Sequence, residues 1–238
     1  MDETSFLQSL EGQGITLQAE QIRQFELYFE LLTEENKKIN LTAITEKEEV
    51  YLKHFYDSLS PLFYTTFKEG STICDVGAGA GFPSIPLMIV RPDIQVTIID
   101  SLQKRIRFLE ALIHKLGLTN VHLVHGRAEE IGQDSIYREK YDVVFARAVA
   151  KLNVLAEYCL PLCKVGGSFI ALKGAHAELE IEEAQKAYQA LGEAQISSET
   201  FILPQEASER SLVFATKRKP TSKKYPRKPG TPAKKPIK

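Results

Sequence analysis

The sequence predicts an α/β protein: a mostly parallel, seven-stranded sheet, a helical cap in front of it and an antiparallel hairpin at its end. Three observations predict this. From residue 71 onward, short β-rich apolar runs (TICDV, QVTIID, VHLVH, YDVVFA, GSFIALK) alternate with helical stretches, the pattern of βαβ units on a parallel sheet. Within QIRQFELYFELLTEENKKIN, Ile22, Phe25, Phe29, Leu32 and Ile39 recur at helical spacing with polar residues between them, so residues 1–65 read as a helical N-terminal cap. Two last apolar runs, QISSETFIL and SLVFATK, flank a polar turn and read as a hairpin closing the sheet. The expected domains are the cap (1–65), a catalytic α/β domain (66–217) and a tail (218–238).

The most informative stretch is ICDVGAGAGFPSIPL. A buried strand ending at Val76 runs into Gly77-Ala78-Gly79-Ala80-Gly81 and then into a helix. Glycine permits positive φ and lets backbone approach a ligand with no Cβ in the way. A dinucleotide fingerprint, G-x-G-x-x-G, would place its third glycine at position 82, which is Phe82. The spacing is instead G-x-G-x-G with Asp75 ahead of it, which resembles motif I of class I methyltransferases, where the loop holds the methionine part of S-adenosylmethionine. Asp75, Gly77, Gly79, Gly81 and Phe82 are therefore candidate cofactor residues, and a branched side chain at Gly77 is expected to occupy the cofactor's path. The second strand ends in Asp100, where a carboxylate can accept ribose hydroxyls; the alternative is a helix N-cap, for which Ser101 also serves. After the third strand, Ala128 and Glu129 stand where adenine is recognised, although an acid there also suits the first turn of a helix.

Composition bounds the rest. No apolar run reaches the ~18–20 residues needed to span a bilayer, and Cys74, Cys159 and Cys163 are an odd count without an apolar leader, which implies a reducing cytoplasm, not a disulfide framework. No metal site is expected. The net charge of −1 conceals an asymmetry: residues 217–238 hold ten Lys/Arg, five prolines and no acid, and taking those ten from 30 leaves 20 basic against 31 acidic groups, a net of −11 for residues 1–216. Such a tail cannot bury a core and is expected to be extended and disordered, either a solubilising segment or an arm for nucleic-acid phosphates. Lying beyond the last strand, it is expected to leave cofactor affinity unchanged.

What is missing bears on the atom methylated. After YDVVFA, enzymes that methylate exocyclic amines carry an Asn/Asp-Pro-Pro-aromatic motif; the residues here are Ala146, Arg147, Ala148 and Val149. Carbon-5 methylation of pyrimidines needs a cysteine nucleophile in that region, whereas Cys159 and Cys163 read as core thiols. Guanine N7 carries an in-plane lone pair and no proton, so it needs positioning and no general base, and the same holds for other intrinsically nucleophilic acceptors.

Together INLTAIT (39–45), HFYDSL (54–59), CDVGAGAGFPSIPL (74–87), DSLQKRIRFLE (100–110), GRAEE (126–130), ARAVA (146–150) and ALKG (171–174) resemble the RsmG (GidB) family over roughly residues 5–216. The resemblance implies a Rossmann-like class I fold and transfer of methyl from S-adenosylmethionine to N7 of a guanine in the decoding region of 16S rRNA. The substrate would be free rRNA, the small subunit or an assembly intermediate, and the enzyme a cytoplasmic monomer with no membrane or DNA partner. It places cofactor contacts on Gly77, Phe82, Ala128, Glu129 and Arg147 and the guanine beside Arg147 and Lys173; His54 and Asp57 are expected to join cap to sheet. The long tail reads as an embellishment on the family pattern. Rival readings are a small-molecule methyltransferase, a non-catalytic RNA-binding module and an NAD-dependent oxidoreductase.

Overall fold

The computed structural model describes residues 1–175 and 177–238. Its strands are β1 (Thr72–Val76), β2 (Gln95–Asp100), β3 (Val121–His125), β4 (Tyr141–Arg147), β5 (Cys163–Lys173), β6 (Gln195–Ile202) and β7 (Glu209–Thr216). They form one sheet of order β3-β2-β1-β4-β5-β7-β6. β1 to β5 run parallel, and β7 pairs antiparallel with both β5 and β6. The chain builds outward from β1 to β3 and then returns to lay β4 against the other side of β1. That reversal opens a crevice at the carboxyl ends of β1 and β4, where ligands of open α/β sheets bind.

The two-residue period of the strands divides the interior into two cores. Ile73, Ile98, Val143, Phe145, Ile170, Leu172 and Leu212 face one; Cys74, Ile99, Val144, Ala146, Phe169, Ala171, Val213 and Ala215 face the other. The first core is covered by the cap and by helices Ser84–Val90 and Gln103–Leu116, the second by helices Leu152–Cys159 and Ala177–Gly192. All three cysteines are free and buried in the second core, and burial pushes the Cys163 thiol up to about 12, so it is a packing group with no thiolate character.

The cap comprises α1 (Glu3–Glu11), α2 (Ala19–Ile39) and a helix over residues 47–59 that is π-helical from Tyr51 to Tyr56. The spacing that predicted α2 puts Phe25, Tyr28 and Leu32 into the interior, where Phe6 meets Phe25 edge-on at 5.2 Å and Tyr51 at 5.3 Å. Polar side chains fix how the cap sits. Gln21 Oε1 accepts from Gln18 N (2.8 Å) at the start of α2, while its Nε2 donates to Ile89 O (2.7 Å); Gln24 Nε2 donates to Leu116 O (2.8 Å). Ile89 and Leu116 stand in the last turns of their helices, whose carbonyls have no partner within the helix, so the cap satisfies groups that the sheet layer leaves open.

The tail differs from expectation. Instead of extending into solvent it lies along the second core, because the body supplies acceptors and acids where its cations fall. The Lys217 side chain is fully buried; Nζ donates to Glu139 (2.7 Å) and to the carbonyls of Leu160 and Cys163 (2.9 and 3.0 Å). Arg138 donates to the carbonyls of Thr221, Ser222 and Tyr225, and Gln133 Nε2 to those of Lys223 and Pro226. Arg227 forks onto the fully buried Glu157, with Nη2 2.6 Å from Oε2 and Nε 2.9 Å from Oε1. Prolines lower the entropy lost on docking, and the carbonyls of a segment with no ladder of its own are met by Arg138 and Gln133.

Glu157→Gln removes the charge that holds Arg227 at a cost of about 3 kcal/mol. Hydrogen exchange at the Arg227 and Gly230 amides should then accelerate by about 100-fold, with protection in β4 and β5 unchanged.

Candidate functional site

A cavity of about 630 Å³ opens where β1 and β4 diverge. Its floor is the loop after β1, which leaves the sheet through Gly77 N bonded to Ile99 O (2.7 Å). The three glycines of that loop, at φ +75°, +62° and +104°, have three different tasks. A Cβ at Gly79 would meet nothing within 4 Å although the residue lines the cavity; here the missing side chain leaves room for a ligand. A Cβ at Gly77 would lie 2.8 Å from Val149 Cγ2, so a branched residue there collides with the loop after β4 and not with open cavity, contrary to the expectation from sequence. At Gly81 a Cβ would meet Ile85 Cγ1 at 2.7 Å and Tyr28 Oη at 2.8 Å. Gly81 therefore lets cap and sheet close together and does not reach the cavity, and Tyr28 uses that approach to donate to Ala80 O (2.6 Å).

The β2–β3 end of the cavity carries two acids. Asp100, 2% exposed, accepts from Leu102 N (2.9 Å) on Oδ1 and from Gly79 N (3.2 Å) and Arg105 (3.3 Å) on Oδ2. A carboxylate has about four lone-pair sites, so Asp100 fixes the glycine loop and keeps an acceptor for a ligand hydroxyl. Leu102, not Ser101, is the N-cap residue of helix Gln103–Leu116. Glu129 is buried beside Ala128 in the short helix Ala128–Ile131. Its Oε1 accepts from Gly230 N (2.8 Å) of the tail, and Ala233 of the tail also lines the cavity. This wall was not legible in the sequence, because nothing local links position 230 to position 129, and it removes the ground for expecting the tail to be irrelevant to the cavity.

The β4 end holds a cluster of buried polar groups. Arg147 Nη1 donates to Asp57 Oδ2 (3.0 Å) and to Lys53 O (3.1 Å) in the π-helical turn, and Nη2 donates to His54 Nδ1 (3.1 Å). Its guanidinium lies 4.9 Å from the centre of the Phe82 ring, on which His54 stacks at 4.5 Å and Tyr28 at 5.3 Å. Arg210 of β7 adds a second cation 3.5 Å from Asp57. Burial, reinforced by the Arg147 charge, lowers His54 to about 3; the ring is neutral and is one of the links between cap and sheet, as is Asp57.

Three candidates from sequence lie outside the cavity: Gly81, held between cap and sheet, Asp75 and Lys173. Asp75 is completely buried beneath the loop and accepts from Ser84 N (3.1 Å) on Oδ2, starting the helix after the glycines; burial raises it to about 7. Lys173 Nζ pairs with Glu180 (2.9 Å) and donates to Ala150 O (3.2 Å), so it braces the loop that follows β4. Gly77, Gly79, Phe82, Asp100, Ala128, Glu129 and Arg147 all line the cavity. Leu41, Thr42, Arg105 and Val149 join them; none was a site candidate in sequence, although each falls in a segment that carries the family resemblance, INLTAIT, DSLQKRIRFLE or ARAVA. Among the described residues no group of His, Cys, Asp and Glu is arranged to hold a metal ion, and no helix is long and apolar enough to cross a membrane.

The sheet order, the glycine turn after β1 and the acid ending β2 define a protein of the methyltransferase fold. An O-methyltransferase from Bacillus cereus solved with S-adenosylhomocysteine superposes with a TM-score of 0.56 over 80% of this chain and 90% of its own, at 15% identity. TYW2 from M. jannaschii, solved with AdoMet, gives 0.53 over 74% and 79%, at 14% identity. Within that fold the family is specific. Residues 21–212 match the family model GidB, rRNA small subunit methyltransferase G, and the chain belongs to this family. Relatives named ribosomal RNA small subunit methyltransferase G are 57% identical in Lactobacillus helveticus, over the whole of both chains, and 58% identical in Bacillus cereus, over 100% of this chain and 99% of the other. These alignments run through the tail, which is therefore no embellishment peculiar to this sequence.

The glycines should separate in a stability assay. Gly81→Ala combines left-handed strain with overpacking and should cost about 3 kcal/mol, whereas Gly79→Ala, strained but unobstructed, should cost about 1. Chemical denaturation that ranks them equally would contradict the division of tasks.

Asp75 and His54 oppose each other in their dependence on pH. A carboxyl at about 7 in the fold stays protonated while the unfolded chain ionises near 3.9, so its contribution is full at acid pH and is lost as pH rises toward 7. Neutral His54 acts in the other sense, its contribution being lost as pH falls below about 6.5. Relative to wild type, Asp75→Asn should therefore gain up to about 1.4 kcal/mol per pH unit between roughly pH 4 and 7, measured by denaturant unfolding at several pH values.

Proposed function

We propose that this protein transfers a methyl group from S-adenosylmethionine to N7 of a guanine in 16S rRNA. The observation that carries the choice of atom is the lack, among the described residues, of a free base at the β4 end of the cavity. His54 is neutral, but its Nδ1 is occupied by Arg147 and its other nitrogen faces Thr42 at 2.8 Å. Asp57 is held by Arg147 and Arg210. Asp75 is sealed below the loop, and the residues after β4 are Ala148, Val149 and Ala150. An exocyclic amine must lose a proton during methylation, and nothing here is placed to take it. Guanine N7 has no proton to lose.

The cavity suits the proposed cofactor: space beside Gly79 for a ligand to approach backbone, an acceptor left on Asp100 for ribose hydroxyls, and Glu129 Oε2 for the adenine amine. When bound, S-adenosylmethionine supplies an electrophilic sulfonium methyl. The protein's part is to hold the loop by Asp100, wall the adenine end with Glu129 and the tail, and position the base at the Arg147 end, where orientation alone is worth several powers of ten in rate. Such positioning would also serve a small molecule, but the docked tail favours RNA. Of its ten cations, Lys223, Lys224, Lys228, Lys234, Lys235 and Lys238 are exposed and form no salt bridge among the described residues. They give an exposed run of positive charge to a segment that walls the cavity through Ala233, on a body of charge −11, and a phosphate backbone can be met there without being read. Free rRNA, a small subunit or an assembly intermediate would each meet that charge.

Borohydride reduction followed by aniline should cleave wild-type 16S rRNA at one guanine that stays intact in a deletion strain, because N7-methylguanine is cationic and its glycosidic bond is weakened. Label from the cofactor found on an amine or a carbon would reject N7.

Replacing Lys223, Lys224, Lys228 and Lys234 by Gln leaves the anchoring residues in place. If all four meet phosphate, the slope of log K for RNA against log salt should flatten by roughly 3, at about 0.7–0.9 per contact, with S-adenosylhomocysteine affinity unchanged. Removing residues 225–238 should instead weaken S-adenosylhomocysteine binding, since Glu129 loses Gly230 and the cavity loses a wall.

A further inference from the structure

The chain of hydrogen bonds running from Arg147 through His54 ends on Thr42, and its direction is forced. Arg147 can only donate, so the nitrogen it meets, His54 Nδ1 at 3.1 Å, must carry a lone pair. The proton of the neutral ring is then on Nε2, which lies 2.8 Å from Thr42 Oγ1 and donates to it. Thr42 Oγ1 also accepts from Ile44 N (3.0 Å). A hydroxyl has two acceptor sites and one donor, and here both acceptor sites are filled. Among the described residues no protein acceptor is in reach of the remaining O–H, and Thr42 lines the cavity. The loop is stiff at this point, because Asn36 Oδ1 accepts from both Leu41 N and Thr42 N (2.6 and 2.8 Å). Thr42 therefore offers the cavity a donor that cannot turn round and act as an acceptor.

We infer that Thr42 is a specificity-determining residue, its hydroxyl donating to O6 of the target guanine. This rests on the guanine-N7 reading. O6 stands next to N7 on the same edge of the base, so a bond to it orients the base without engaging the lone pair that attacks the methyl group. Adenine carries an amine, a donor, at that position, and a hydroxyl whose acceptor sites are both filled has nothing to offer it. The other oxygen that could enter the cavity is the carboxylate of the cofactor's methionine. O6 is favoured because Thr42 is fixed to His54 and Arg147 at the β4 end, on the opposite side of β1 from Asp100 and Glu129.

The test compares wild type, Thr42→Val and Thr42→Ser on small-subunit RNA carrying guanine or adenine at the target position, with S-adenosylhomocysteine affinity and thermal stability measured in parallel. Thr42→Val keeps the shape and deletes the donor together with the acceptor of His54 Nε2 and Ile44 N, a loss that the thermal stability reads. On the guanine substrate kcat/KM should fall about 10- to 100-fold, and the preference for guanine over adenine, which a loss of stability alone leaves in place, should narrow. Thr42→Ser should restore both, and S-adenosylhomocysteine affinity should not change. Loss of S-adenosylhomocysteine affinity matching the loss of rate would assign Thr42 to the cofactor carboxylate and overturn the inference. Unchanged kcat/KM and base preference in a folded Thr42→Val protein would overturn it as well. The borohydride and aniline assay on wild type separates the two readings: cleavage at guanine with an indifferent Thr42 rejects this inference alone, whereas no cleavage rejects the guanine-N7 reading beneath it.

Discussion

The structure turns on one buried guanidinium. Arg147 ends the central strand β4 and points across the crevice into the cap, where it meets a carboxylate, a backbone carbonyl and an imidazole, while its face lies over Phe82 of the glycine loop. Few other side chains could satisfy all four, because the planar fork supplies several directed donors while its face stacks on an aromatic ring. Taking such charges from water is costly, and a buried pair seldom stabilises a fold relative to apolar packing of the same shape. What it provides is definition: each donor has one partner, so the cap has one position relative to the sheet. The π-helical turn around His54 contributes to this by presenting the Lys53 carbonyl and the His54 ring to the same guanidinium.

From that constraint follows the character of the cavity. The aromatic stack of His54, Phe82 and Tyr28 is held against the glycine loop from the cap side, and Asp100 holds the same loop from the β2 side through Gly79. A loop gripped at both ends is preorganised for a ligand before one arrives, and preorganisation lowers the entropy lost on binding. The cluster that positions the cap also occupies His54 and Asp57, the polar groups at that end of the cavity that could have acted as bases.

The tail shows how charge and docking combine. Residues 217–238 are too polar to build a core of their own, yet the body places Glu139, Glu157 and Glu129 along their path, and four of the ten cations are used in anchoring: Lys217, Arg218, Lys219 and Arg227. The six others remain exposed. A segment anchored by some of its cations and open with the rest carries its charge to a fixed place on the body, which a free arm does not.

By itself the sequence determined the elements and their order. Hydrophobic period gave the seven strands and the cap, since a two-residue or 3.6-residue rhythm is a local property that survives until folding. The glycine spacing and the acid nineteen residues beyond Gly81 located the floor and the β2 end of the cavity, because turn geometry and strand ends are also local. Only the tertiary structure decided which candidates meet. Asp75 and Gly81 sit in the same motif as Gly77 and Gly79, but strand alternation turns the Asp75 carboxylate inward and cap packing claims Gly81. Lys173 ends β5, yet Glu180, brought back by the following helix, takes its charge. Composition assigned the tail to solvent, since a count of prolines and lysines contains no information about acids 70 to 101 residues away. The direction of the hydrogen bonds reaching Thr42 is likewise a property of three segments folded together, since a threonine in isolation can donate or accept, and only Arg147 and His54 behind it remove the choice.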